Sequence, residues 1–308
     1  MTEARHAKIL VGAVLAACGM LAACKGCGEK KTAALAERPS LAEVTVRPIA
    51  PAHFRDTDIQ LDQAQIAAKA KKTLDDAAIF AAPEAKRPVA KVSLEVEMVS
   101  ASESAEPEIG AKVRLRVAVR PSVSPARFAE DVAAMGQAPF SKGDVDEVRV
   151  AFQHLAERTV EDLLLAYVAR QKLWDGDAPE IASALNSVDN DLRVEALRIV
   201  AARNLRSEIP TVLRLLSDEE ENVRDAALGT LVALRERSAV KALAESRQMR
   251  DAREMRKILD AIATLGGREA QEYLSFVAET HDDAEIRAMA KAAIERLSQR
   301  PESNQTTR

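Results

Sequence analysis

Apolar residues toward the C-terminal end recur at helical spacing, and the same pattern is written four times. Leu192-Arg193, Val223-Arg224, Met255-Arg256 and Ile286-Arg287 each set an apolar residue before an arginine. From arginine to arginine the steps are 31, 32 and 31 residues. Three positions after each arginine stands Ala196, Ala227, Leu259 or Ala290, and seven after stands Val200, Leu231, Ala263 or Ile294. Such offsets fall on one stripe of an α-helix. The stretch before each arginine helix has its own apolar set: Ile181 with Leu185, Val212 with Leu213 and Leu216, Val240 with Leu243, and Ala270 with Leu274 and Val277. Acid-rich turns around 189–191, 218–222, 251 and 282–283 divide the halves. Their side chains can cap the second helix and suit the positive end of its dipole. Each unit reads as helix, acidic turn, helix. One such pair cannot bury its stripe alone, whereas stacked pairs build a continuous core.

The residues from Ile209-Pro210 through Leu213 and Leu216, then Asp218, Val223-Arg224 and Ala227-Leu228, resemble the HEAT repeat family in its short, PBS-lyase-like form. The tetratricopeptide and ankyrin signatures are missing. The resemblance implies an α-α superhelical solenoid of about four helix pairs over residues 178–298. It also implies that Arg193, Arg224, Arg256 and Arg287 bond to aspartates of a neighbouring turn, as a structural ladder within the chain. Asp189, Asp218, Asp251 and Asp283 are the candidate partners, at varying offsets. The competing reading is a row of cations shown to an acidic ligand; the ladder is preferred. The third unit departs from the pattern, because Asp260 stands where an apolar residue should follow Leu259.

Residues 41–173 read as a small α/β domain. Val44 and Val46 alternate with polar neighbours, giving a short strand stopped by Pro48. Thr57 to Gln60 has a capping-box arrangement, and Ile66, Ala70, Leu74 and Ala77 follow at helical spacing before Pro83 and Pro88 break the helix. Val92, Leu94, Val96 and Met98 alternate with Lys91, Glu95 and Glu97; Val113, Leu115, Val117 and Val119 alternate with Lys112, Arg114 and Arg116. Each strand therefore has one apolar and one charged face, and antiparallel pairing would set the glutamates beside the arginines. The solvated salt-bridge reading of the charged face is preferred over a patch for acidic partners or lipid head groups. A short helix is expected around 126–135. A long one follows the acidic start at 144–147, with Val148, Phe152, Leu155, Thr159, Leu163 and Tyr167 on its stripe. The order strand-helix-strand-strand-helix suits an antiparallel or mixed sheet of about three strands with two helices on its apolar face. Trp174, the only tryptophan, is placed at the junction as a cap for the first helix pair. The expected fold class is an α/β N-terminal domain plus an all-α helical-repeat solenoid, mostly helical overall.

Arg5 and Lys8 precede Ile9 to Ala23, a run with no charge. It is short for a membrane span and suits a secretion signal over residues 1–23. Leu21-Ala22-Ala23-Cys24 resembles the lipobox of bacterial lipoproteins. That implies cleavage before Cys24 and lipidation of its thiol, palmitate being among the acyl chains. Cys18, after Leu15-Ala16-Ala17, is the alternative, but its use would leave Met20 to Ala23 on the mature chain. Residues 24–40 then read as a flexible tether and 299–308 as a disordered tail. The implied place is the cell envelope, anchored to the bilayer by lipid and facing the periplasm. Lys25 rather than Asp after Cys24 favours the outer over the inner membrane.

Aromatics are 3% of a chain that is 47% hydrophobic, so the core is aliphatic and alanine-rich. A net charge of −4 gives no sign of nucleic-acid binding. All three cysteines lie at or before position 27, so the body has no thiol nucleophile. His6, His53, His154 and His281 are far apart, without ligand spacing for zinc. No nucleophile elbow or phosphate loop occurs, and Gly266-Gly267 reads as a helix stop. The expected function is a non-enzymatic, lipid-anchored monomer, without metal or cofactor, that binds another envelope protein through the solenoid. The alternatives are an enzyme or enzyme accessory like the phycobilin lyases that share these repeats, or an envelope structural element.

Overall fold

Pairing of alternating strands explains the N-terminal half of the computed structural model, which describes residues 38–49, 60–84, 86–101, 108–121, 127–139, 145–245 and 252–299. Strands β1 (Ser40–Ile49), β2 (Val89–Ala101), β3 (Glu108–Arg120) and β4 (Glu130–Pro139) form one sheet in the order β1-β2-β3-β4. β1 runs parallel to β2, and the other pairs are antiparallel. A parallel neighbour requires a crossover, which helix α1 (Gln63–Ala77) provides. Asp62 caps it, accepting from the Gln65 amide at 2.9 Å. The helix thus starts later than the Thr57–Gln60 pattern suggests; Thr57 to Ile59 lie outside the described residues. Along β2 and β3 the register sets Val92 against Val117, Leu94 against Leu115 and Val96 against Val113, all buried. The other face sets Glu95 against Arg114 and Glu97 against Lys112.

The sheet has a fourth strand where a short helix around 126–135 was expected. β4 alternates Val132, Ala134 and Ala138, half-buried, with exposed Asp131, Ala133, Met135 and Gln137. Its alanines favour helix in isolation, but pairing along the edge of β3 overrides that preference. The order is therefore β-α-β-β-β-α, closed by the long helix α2 (Val145–Leu173). Phe152, Leu155, Val160, Leu164 and Tyr167 of α2 are buried over the sheet with Ile66, Ala70 and Leu74 of α1.

Four helix pairs follow: α3 (Ala178–Ala184) with α4 (Asn190–Arg203), α5 (Ile209–Leu215) with α6 (Glu221–Ala233), α7 (Ala239–Ala244) with α8 (Ala252–Leu265), and α9 (Arg268–Thr280) with α10 (Ala284–Ser298). The second members lie side by side, α4 on α6, α6 on α8 and α8 on α10. Ala196, Ala227, Leu259 and Ala290 are wholly buried at the seam, and small residues there let the helices approach closely. Val200, Leu231 and Ala263 are buried too, while Ile294 on the last helix is half-buried. Asp177 and Glu180 form a reciprocal capping box on α3. Gly266, at φ 66°, stops α8 in the left-handed conformation that favours glycine. One apolar cluster fills the α/β half and a second runs from Trp174 along all four pairs.

β4 and α2 touch at Gly136, where an added Cβ would lie 2.0 Å from Thr159 Oγ1 and 3.3 Å from Leu155 Cδ1. Thr159 cannot swing aside freely, since its hydroxyl donates to the Leu155 carbonyl at 2.8 Å. Gly136→Ala should cost about 1–3 kcal/mol in a urea melt. Adding Thr159→Ala should restore part of that loss; an unchanged midpoint for the single variant would contradict the packing.

Candidate interaction surface

In three of the four repeats the arginine folds back on the turn that precedes its own helix. Arg193 Nη1 donates to the Ser187 carbonyl at 2.6 Å. Arg224 Nη1 donates to the carbonyls of Asp218 at 3.0 Å and Glu219 at 2.7 Å. Arg287 Nη1 repeats this with His281 at 2.6 Å and Asp282 at 2.8 Å. These carbonyls belong to a loop that has no helix or sheet partner of its own, so a charged donor satisfies them.

At Arg224 and Arg287 turn carbonyls stand in place of the expected aspartates, while Arg193 keeps one rung of the expected ladder besides its carbonyl. One pair does cross between repeats: Arg193 Nη2 lies 3.1 Å from Asp218 Oδ1. Asp189 and Asp283 act instead as helix caps, accepting from the Asp191 and Leu192 amides and from the Glu285 amide. Asp251 lies outside the described residues, as do Cys18 and Cys24. Arg256 differs from the others; its exposed side chain lies 3.5 Å from Glu285 of the next pair. Asp260, the departure noted in the third unit, pairs with Arg296 on α10.

With the arginines turned inward, the turns leave carboxylates on the solvent side. Asp189, Glu219, Glu220, Asp282 and Asp283 are exposed along one edge of the stack, and Val188 beside them is 98% exposed. Deeper in, Lys257 on α8 meets Asp225 at 2.8 Å and Glu221 at 3.0 Å on α6, and Glu254 at 3.1 Å on its own helix. The hydrogen bond to Asp225 leads the causes that raise the Lys257 pKa, and the bond from Lys257 lowers that of Glu221. A cavity of about 10 Å³ beside it, lined by Leu216, Arg224, Leu228 and Ile258, is water-sized. Among the described residues no group of three or more His, Cys, Asp or Glu is placed to hold a metal. No described helix is long and apolar enough to cross a membrane.

The inner end of the stack is closed by a polar joint. Trp174, 9% exposed, donates its indole N–H to Glu195, which is buried on α4. Arg198 holds the other oxygen of Glu195 at 3.1 Å. Arg203 of α4 donates to the carbonyls of Trp174 and Gly176. On the sheet side Arg127 clamps Asp175 at 2.9 and 3.1 Å, with Arg38 on the same carboxylate. Arg170 of α2 lies 3.4 Å from Glu130 and 3.7 Å from Asp191. Burial holds the Glu130 carboxyl above its ordinary pKa against the pull of Arg170. Trp174 is thus a junction residue, as its position in the chain suggests. Its partner Glu195 leaves one mark in the sequence, an acid directly before Ala196-Leu197 on an apolar stripe. The lysine cage, built across 32 residues, has no comparable sign in the sequence.

Residues 178–263 match the family model of HEAT repeats, and that segment is a HEAT-repeat solenoid. The match runs from α3 nearly to the end of α8, and the pair α9–α10 continues the stack beyond it. Two solved structures are similar over part of the chain. A hypothetical protein from Chlamydia trachomatis is 16% identical, over 42% of this chain and 95% of that one, with a TM-score of 0.28. A minor lipoprotein from Acinetobacter baumannii is 13% identical, over 43% and 92%, with a TM-score of 0.26. No curated protein matches the chain.

Arg224 and Arg256 occupy equivalent positions in the repeat but have different surroundings. Arg224→Ala should cost about 1.5–3 kcal/mol, the worth of charged hydrogen bonds, and Arg256→Ala less than about 1 kcal/mol, as for a surface pair. Equal losses in denaturant melts would contradict the clamp. Asp175 offers a pH test. Burial alone would raise its carboxyl, but the hydrogen bond and charge of Arg127, then Arg38, outweigh this and hold its pKa below the ordinary value. Its stabilising contribution is therefore complete above the unfolded value near about 3.9 and lost as pH falls through the lower folded value. Asp175→Asn should lower stability at neutral pH and flatten the acid limb of stability against pH; an identical acid limb would contradict the clamp on Asp175.

Proposed function

We propose that this chain is a non-enzymatic scaffold, lipid-anchored in a bacterial cell envelope, that holds a partner protein on its solenoid. The observation that carries the reading is the arrangement of the four helix pairs. They spend their apolar stripes on one another and leave the acidic turns exposed in a row. Such an edge suits a partner with a basic, extended surface. The lipobox-like Leu21-Ala22-Ala23-Cys24 supports the anchor. The sequence supports the non-enzymatic reading, since it holds no nucleophile elbow, phosphate loop or metal-ligand spacing. The periplasmic face and the outer membrane are the preferred location, from Lys25 after Cys24.

Cross-linking in intact cells, followed by recovery of the detergent-extracted protein, should capture one envelope protein specifically. Deleting 178–298 should abolish that capture, and Glu219→Lys with Glu220→Lys should weaken it more at low than at high salt. Capture that survives the deletion would overturn the solenoid as the binding element.

A further inference from the structure

The open face of the sheet differs in charge from the acidic edge of the solenoid. α1 and α2 cover one side, while the side bearing Arg114 and Arg116 is exposed. Its ion pairs do not balance. On the β1–β2 half, Lys91 meets Glu43 at 2.7 Å and Arg47 meets Glu95 at 3.7 Å, one cation to each acid. On the β3–β4 half, Lys112 lies 3.9 Å from Glu97, but Arg114 and Arg116 share the single carboxylate of Asp131. Arg120, on the same face by strand alternation and exposed, has no ion-pair partner among the described residues. Over the described side chains of the whole face, six cations (Arg47, Lys91, Lys112, Arg114, Arg116 and Arg120) stand against four acids (Glu43, Glu95, Glu97 and Asp131), although the whole chain is acidic.

The same face exposes apolar side chains in one row. The register runs Ile49 to Glu97, Glu97 to Lys112 and Lys112 to Met135. Ile49 is 37% exposed and Met135 51%, one on each edge strand. Excess cations flanked by exposed apolar side chains fit the charged interface of an anionic bilayer, where the cations meet phosphates and the apolar groups enter the headgroup layer. The chain length agrees. From Cys24 to Arg38, where the described part of the sheet half begins, is 38 − 24 = 14 residues. Fully extended, 14 residues reach at most about 50 Å, so an anchor at Cys24 would hold the sheet within that distance of the bilayer.

We propose that the exposed face formed by β1 to β4 docks on anionic lipid head groups, leaving the solenoid turned to its partner. This rests on the reading of Cys24 as the lipid anchor. Methionine oxidation, read by mass spectrometry on the lipidated protein in vesicles, tests it. With about 30% anionic lipid, Met135 should oxidise at least about fivefold more slowly than in neutral vesicles, while half-buried Met289 is unchanged. About 0.5 M salt, or Arg114→Glu with Arg116→Glu, should remove the protection, and Arg114→Lys with Arg116→Lys should retain it. Equal Met135 rates in both vesicle types would overturn the proposal. So would equal protection in neutral vesicles or detergent, which would mean a second copy or another protein covers the face. The mass of the mature N-terminal peptide, read in the same samples, reports separately whether the anchor itself is present.

Discussion

A pair of short helices cannot bury its own apolar stripe, and the rest of the structure follows from that constraint. Each of α4, α6 and α8 needs a neighbour on both sides, and the seam of Ala196, Ala227, Leu259 and Ala290 is how they meet. At the inner end there is no earlier pair to supply the cover. α2 does so instead, extending past the sheet to place Trp174 in the solenoid core. The indole could not be buried there without an acceptor for its N–H, which Glu195 provides. At the outer end, α10 presents Lys291, Glu295 and Arg296 to solvent, a polar face that needs no further cover. The α/β half is therefore the cap of the stack as well as a domain with its own core.

Close stacking has a second consequence. Short helices joined by tight turns leave many carbonyls unpaired, and three of the repeat arginines answer that need. By folding onto the turns they tie each turn to the helix that follows it. They also take positive charge away from the edge, so the turn acids dominate the surface there. One residue type thus serves the fold and sets the character of the edge offered to a partner. The sheet's open face has the opposite character, with cations in excess, and the two surfaces differ in the ligands they suit.

Much of this was legible in the sequence because helical and strand periodicity are direct records of burial. The −1, +3 and +7 stripe, the alternation on β2 and β3, and the caps at Asp189 and Asp283 were all written locally. β4 was not legible, because its alanine-rich run has helical propensity and only pairing with β3 makes it a strand. The Asp62 cap is masked by the Thr57 to Gln60 pattern just before it, which fits the same rule. The targets of the repeat arginines were hidden for a different reason. A backbone carbonyl leaves no mark in the sequence, whereas an aspartate in the same turn draws attention. Asp260 looked like a defect until Arg296, 36 residues on, supplied its partner.

The stack is held as one body that starts from α2 through Trp174. Native-state hydrogen exchange, resolved helix by helix, measures this most directly. The account predicts that α4 is protected to nearly the level of β2 and β3, that α10 is least protected, and that Trp174→Phe lowers protection in α4 first while leaving β2 and β3 unchanged. Rapid exchange throughout α3 and α4 in the unaltered protein, or no change in α4 when the indole is removed, would contradict it.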